Sequence, residues 1–114
     1  MTAEVDVSVS VVLPTFNNAS TITACLESLA AQDFEGGVEL VCVDGGSEDA
    51  TVGIARRHGA RVVENPLRNE EEGRALGLEA ARGEFVLLLD ADNEIPGTDW
   101  LERLVRATGL APDV

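Results

Sequence analysis

Apolar runs alternate along this chain with stretches of helical period. Val7-Ser8-Val9-Ser10-Val11-Val12-Leu13 begins in strict alternation and ends as an unbroken apolar run, the pattern of a strand entering a sheet. Pro14 is expected to stop it, because proline cannot donate to a ladder. After the loop Thr15-Phe16-Asn17-Asn18-Ala19, Ser20 is placed to cap a helix. Ile22, Cys25, Leu26, Leu29 and Ala30 then fall at i, i+3, i+4, i+7 and i+8 and give that helix one apolar face. Gly36-Gly37 ends the unit. Val38-Glu39-Leu40-Val41-Cys42-Val43 reads as a second buried strand, running into Asp44-Gly45-Gly46-Ser47-Glu48-Asp49, where Ser47 or Asp49 can cap the next helix. That helix reaches His58, with Gly59 as its C′ residue.

The second half repeats the rhythm. Residues 60–64 form a short third strand, ended by Asn65-Pro66, and Leu67-Arg68-Asn69 makes a loop. A third helix is predicted over 70–82, with Gly73, Gly77 and Ala80 spaced to let it approach the sheet closely and Gly83 capping it. Residues 84–89 form the fourth strand. Its apolar run, Phe85-Val86-Leu87-Leu88-Leu89, reads as buried on both faces and ends abruptly in Asp90-Ala91-Asp92-Asn93. Thr98 is placed to cap a fourth helix with the stripe Leu101, Leu104, Val105, closing at Gly109. The order β-α-β-α-β-α-β-α predicts an α/β fold: a doubly wound, mostly parallel sheet in three α/β/α layers with right-handed crossovers.

Charge changes the picture more than composition does. The 114 residues carry Asp+Glu 21 against Lys+Arg 8, a net charge of −13, and every basic residue is Arg. Such a surface repels nucleic acid and anionic membranes, so neither is expected as a partner. An anionic ligand would need local help from Arg, backbone N–H groups or a cation. Cys25 and Cys42 have no zinc or CxxC spacing and read as free core thiols of a reducing compartment. The N-terminus is acidic and no apolar run approaches the ~18 residues of a membrane span, so a cytoplasmic chain without its own anchor is expected. His58, the only histidine, sits beside Arg56 and Arg57 where a last-turn cation suits the helix dipole.

Chemistry gathers at three strand ends: Pro14-Thr15-Phe16-Asn17, Asp44-Gly45-Gly46-Ser47 and Asp90-Ala91-Asp92-Asn93. In a parallel sheet of order 3-2-1-4 all three line one crevice at the switch point. A carboxylate there can accept from a pyrimidine N–H, and paired acids can hold a ribose hydroxyl and a hard cation. The plain alternative for each loop is a turn. There is no GxGxxG, no P-loop and no GxSxG, so dinucleotide binding, P-loop chemistry and serine hydrolysis are not indicated.

These segments resemble the nucleotide-binding half of family 2 glycosyltransferases, which have the Rossmann-like GT-A fold. The resemblance rests on Val9 to Asn17, on Val43-Asp44-Gly45-Gly46-Ser47-Glu48-Asp49-Ala50-Thr51, and on Gly73-Arg74-Ala75-Leu76-Gly77 through Gly83-Glu84 into Leu89-Asp90-Ala91-Asp92. It implies that Pro14, Thr15 and Phe16 frame the base, that Asn17 belongs to the same nucleotide-sugar site, and that Asp44 accepts from the base imide. It further implies that Arg74 lies near the nucleotide, that Asp90 meets the ribose, and that Asp92 binds Mn²⁺ or Mg²⁺ as part of a DxD motif. Two departures are Ala75, where the family has asparagine, and Asn93, where an acid often follows the DxD.

The resemblance implies inverting transfer from a nucleotide-diphosphate sugar to a sugar or lipid-linked acceptor that the sequence does not identify. In the family, the acceptor site and the base lie in a C-terminal half. Residues 1–114 correspond to the donor-binding part, no catalytic base is assigned, and Glu94 reads as a solvated loop acid. A non-catalytic nucleotide-sugar-binding module is the alternative. A sugar nucleotidyltransferase ranks lower, because the loop after the first strand has neither glycine nor a basic residue. The fourth strand is expected to leave an uncovered sheet edge and so to favour self-association.

Overall fold

A computed structural model describes residues 7–108. The element order is β1 (Val7–Thr15), α1 (Ile22–Ala30), β2 (Gly37–Asp44), α2 (Thr51–Arg57), β3 (Arg61–Glu64), α3 (Glu70–Ala80), β4 (Phe85–Leu88) and α4 (Trp100–Ala107). The strands form one sheet of order β3-β2-β1-β4, all parallel, as the sequence predicts. The expected helix end at Gly109 and the acidic residues 1–4 lie outside the described residues.

Alternation along β1 divides the core in two. Val9, Val11 and Leu13 pack with Ile22, Cys25, Leu26 and Leu29 of α1, with Ile54 and Ala55 of α2, and with Leu101 and Val105 of α4. Val12 turns the other way and meets Val41, Val43, Leu76 and Ala80 beneath α3. The three layers are therefore α1, α2 and α4 on one face, the sheet, and α3 on the other. The glycines expected to bring α3 close do so: a Cβ on Gly77 would lie 2.2 Å from Val12 Cγ1, and one on Gly73 would lie 3.2 Å from Asn65 Nδ2.

Several expectations change. Pro14 does not stop β1; the strand pairs through Thr15 opposite Asp44. Val12 turns its carbonyl towards β4, where Leu89 N–H donates to it (3.0 Å). Pro14, two residues on, faces the same side, where β4 has already ended, so its missing N–H leaves no ladder bond unmade. Ser20 does not cap α1, and the helix starts instead with Ile22 N–H donating to Asn18 O (2.9 Å). Ala30 is exposed. Thr98 does not cap α4 either: Leu101 N–H is held by Gln32 Oε1 at the end of α1 (2.9 Å). Leu104 leaves the stripe at 37% exposed.

Helix α3 ends at Ala80 rather than residue 82, because the N–H groups of Arg82 and Gly83 turn to Ser10 Oγ, and Arg82 N–H also reaches Glu39. Gly83 is not a helix cap; a Cβ there would lie 2.8 Å from Ser10 N, so its glycine answers a close backbone approach. Gly59, at φ +85°, is the C′ residue expected after α2.

Strand β4 is buried on one face only. Phe85, Leu87 and Leu89 join the α1–α4 side, whereas Val86 and Leu88 are 38% and 43% exposed. The cause is the seat of α3, which Gly77 and Gly73 set over Val12, Pro14 and Val43 and away from β4. Among the described residues no helix is long and apolar enough to cross a membrane.

Candidate functional site

The carboxyl ends of the strands open into a cleft of ≈ 290 Å³, lined among others by Pro14, Thr15, Phe16, Arg68, Asp90 and Asp92. Each loop is built differently. The loop after β1 is tied to the loop after β2 by side-chain bonds. Asn17 adopts φ 53° and donates its N–H to Ser47 Oγ (2.8 Å), while its Oδ1 accepts from Glu48 N–H (2.8 Å). Phe16 N–H donates to Asn18 Oδ1 (2.8 Å), and Phe16 is left 54% exposed.

Asp44 is the keystone of the second loop. Its Oδ1 accepts from Thr15 Oγ1 (2.7 Å) and Ser47 Oγ (2.6 Å), and its Oδ2 accepts from Gly46 N–H (3.0 Å) and Ser47 N–H (2.7 Å). Burial raises its pKa, but these hydrogen bonds from Ser47, Thr15 and Gly46 outweigh burial and hold the carboxyl below its ordinary range. Asp49 accepts from Thr51 N–H (2.9 Å) at the start of α2, whose N-cap position is Ala50, so neither Ser47 nor Asp49 is the cap residue. His58, at the other end of that helix, places Nδ1 3.0 Å from Ile54 O, away from the cleft.

The loop after β4 is anchored from below. Ala91 and Ile95 are buried, and Ile95 N–H donates to Ser28 Oγ on α1 (2.9 Å). With Ala91 turned inward, Asp90 and Asp92 flank it as exposed residues. Neither carboxylate accepts a hydrogen bond or ion pair from the described residues. Beneath them, burial pushes the Cys25 thiol up to about 11, with the charges of Asp92 and Glu94 adding to the shift. Cys25 and Cys42 are both free and buried, as expected.

Among the described residues, no group of three or more His, Cys, Asp or Glu gathers to hold a metal. Two carboxylates with open oxygens still fit a hard cation that completes its shell from phosphate and water, the usual mode for Mg²⁺ at phosphate sites. They do not fit a metal held by protein alone.

The structure thus brings together Pro14, Thr15, Phe16, Asp90 and Asp92 along one cleft. Asp44 and Asn17 are not part of that lining, but their bonds to Thr15, Gly46, Ser47 and Glu48 hold the loops after β1 and β2 together. Arg74 does not line the cleft; it lies on α3 with Nη2 3.7 Å from Glu70 and is 46% exposed. The arginine the cleft presents is Arg68, from the loop between β3 and α3. That loop is fixed by Asn65, which is 6% exposed, donates its N–H to Asp44 O (2.8 Å) and its Nδ2 to Asn69 O (2.8 Å). Sequence reasoning treated this segment as a mere connection. The available signal was its position: it too leaves a parallel strand at the carboxyl edge, and it holds an arginine in a chain with few.

The sequence matches glycosyl transferase family 2 over residues 10–110. It is 34% identical over 106 residues to a PGL/p-HBAD biosynthesis glycosyltransferase of Mycobacterium bovis, covering 88% of this chain and 41% of that protein. Among solved structures, the Pyrobaculum calidifontis mannosyltransferase PcManGT in complex with GDP-Man and Mn²⁺ superposes with a TM-score of 0.82 at 31% identity, over 96% of this chain and 34% of that one. Staphylococcus aureus TarS 1-349 in complex with UDP gives 0.75 at 34% identity, over 87% and 31%. The chain spans between 16% and 41% of the length of curated relatives it matches. Sequence match and sheet topology agree that this chain belongs to glycosyl transferase family 2.

Proposed function

We propose that the cleft binds a nucleoside diphosphate sugar together with Mn²⁺ or Mg²⁺ and serves an inverting glycosyl transfer. One observation carries the reading: the carboxylates of exposed Asp90 and Asp92 accept nothing from the described residues, and both residues line a cleft whose remaining walls are strand-end loops. A sheet edge at its switch point is where such ligands bind. Support for the ligand class comes from relatives, since the TarS structure holds UDP and that of PcManGT holds GDP-Man and Mn²⁺.

In this reading Pro14, Thr15, Phe16 and Asn17 frame the base, Asp90 accepts from the ribose, and Asp92 holds the cation. The cation, when bound, neutralises the departing diphosphate. Asp44 accepts from a base imide at Oδ1, where Thr15 Oγ1 can give way because Cys42 Sγ lies 3.2 Å from it as a second partner. Arg74 reaches the nucleotide by leaving Glu70, an exposed pair that holds it weakly. No residue of this chain is assigned to deprotonate the acceptor, which is also why binding without transfer stands as the second reading. Two buried free thiols fit a reducing, cytoplasmic setting.

Calorimetric titration with UDP and GDP, each with Mn²⁺ and with chelator, tests the proposal. One nucleotide should bind with Mn²⁺ and lose most of its affinity with chelator; binding indifferent to the metal would refute the role of Asp92. Release of sugar from a nucleotide sugar by the purified chain would remove the binding-only reading. The bare face of β4, with Val86 and Leu88 exposed at an unpaired edge, also supports self-association. Sedimentation should show a concentration-dependent oligomer, and a monomer at high concentration would oppose it.

A further inference from the structure

The segment 90–98 joins β4 to α4 and carries the two open acids, and its hydrogen bonds all run one way. Among the described residues, every hydrogen bond between this segment and the rest of the chain ends on residues 25–33, in α1 or just past its end. Cys25, Ser28 and Gln32 fall at i, i+3 and i+7, so they follow one another along one side of the helix and its last turn. Cys25 Sγ lies 3.8 Å from Asp90 O. Ser28 Oγ donates to Cys25 O (2.7 Å), which leaves a lone pair for Ile95 N–H (2.9 Å). Gln32 spans the entry to α4: its Nε2 donates to Gly97 O (2.8 Å) and its Oε1 accepts from Leu101 N–H (2.9 Å). Asp33 N–H closes the row on Thr98 O (2.7 Å).

Asp92 stands inside this row. Before it Ala91 is buried, and after it Ile95 is buried with its N–H on Ser28. The Asp92 carboxylate accepts nothing from the described residues, so no bond of its own fixes its place. A cation that draws few ligands from the protein depends on finding them already placed, and the groups that orient such ligands govern metal affinity. The sheet offers the segment no hydrogen bond, which leaves this duty to α1.

We propose that Ser28 is a positioning residue for Asp92, and that Gln32 extends the same hold to the start of α4. A helix that does not itself line the cleft thus sets where the cation-binding acid stands. The inference rests on the nucleotide-sugar reading above. It departs from a purely structural tie in one respect: the loss of binding on removing Ser28 should exist only while Asp92 is present.

Calorimetry on the whole chain with Mn²⁺ and UDP or GDP tests this through a cycle with Asp92. Ser28→Ala, which strands Ile95 N–H, should weaken Mn²⁺-dependent binding about tenfold, and Ser28→Thr, which keeps the hydroxyl, should stay within about twofold of the wild type. In the Asp92→Ala background, Ser28→Ala should add no further loss. Gln32→Met keeps the side chain's length and removes both amide bonds. It should weaken binding in the same sense and by less, again only with Asp92 present, and it carries the test if circular dichroism shows Ser28→Ala unfolded. Unchanged affinity in Ser28→Ala, a loss that Ser28→Thr does not restore, or a loss that multiplies with that of Asp92→Ala would overturn the assignment and leave Ser28 a structural tie. Absence of nucleotide binding by the wild-type chain would overturn the underlying reading with it.

Discussion

Acids stand at the ends of two strands of the same sheet, and their surroundings differ. At the end of β2, Asp44 is 6% exposed and its carboxylate accepts from two hydroxyls and two backbone N–H groups. At the end of β4, Asp90 and Asp92 are exposed and their carboxylates accept nothing from the described residues. Sequence position is alike in the two cases: an apolar strand followed by an acid. What differs is the next few residues. Gly45-Gly46-Ser47 folds back and returns its N–H groups to Asp44, whereas Ala91 dives into the core and leaves its neighbours facing out. The first acid builds the loop that shapes the cleft; the second pair is left for a ligand.

The largest effect that would break this contrast belongs to Asp44. Replacing it with Ala strands the N–H groups of Gly46 and Ser47 and should cost about 3 kcal/mol in urea unfolding. A loss below ~1 kcal/mol would mean that Asp44 is as free as Asp92. Next comes Asp92→Ala, which should leave the unfolding midpoint unchanged yet weaken Mn²⁺-dependent nucleotide binding about 30-fold, or ~2 kcal/mol. A drop in stability instead of affinity would make Asp92 structural.

The smallest effect is in pH. Because the folded pKa of Asp44 is lowered, its stabilisation is fully present above the unfolded carboxylate range, about 4, and is lost as pH falls through the folded value. Glu39, also lowered, acts in the same direction; burial opposes ionisation there, but bonds from Ser10, Arg82 N–H and Arg61 prevail. Stability below about pH 4 should therefore fall less steeply in Asp44→Asn than in the wild type, measured by urea midpoint. Identical slopes would remove Asp44 from the account.

Much of this was legible in the residues themselves. The parallel sheet followed from the alternation of elements, the crevice from the switch-point rule once the order 3-2-1-4 was supposed, and the small residues of α3 announced its close seat. Local caps were less legible. Ser20 and Thr98 look like caps, but the N–H groups they would serve, or those beside them, are taken by Asn18 O and by Gln32, just past the end of α1. An acceptor as remote in sequence as Gln32 leaves no local pattern. The apolar run of β4 resembles a doubly buried strand, and composition alone does not reveal that α3 sits over its neighbours. Arg68 escaped notice because its place at the cleft depends on Asn65 and Gly46, which meet it only in three dimensions.

The division of labour between the acids is tested most directly by electron paramagnetic resonance of free Mn²⁺, titrated with the chain in the absence and presence of UDP or GDP. Two carboxylates make an incomplete site, so the chain alone should take up little Mn²⁺, and the nucleotide should raise uptake sharply in the wild type but not in Asp92→Ala. Tight Mn²⁺ binding without nucleotide, or nucleotide-dependent uptake that survives loss of Asp92, would contradict the account.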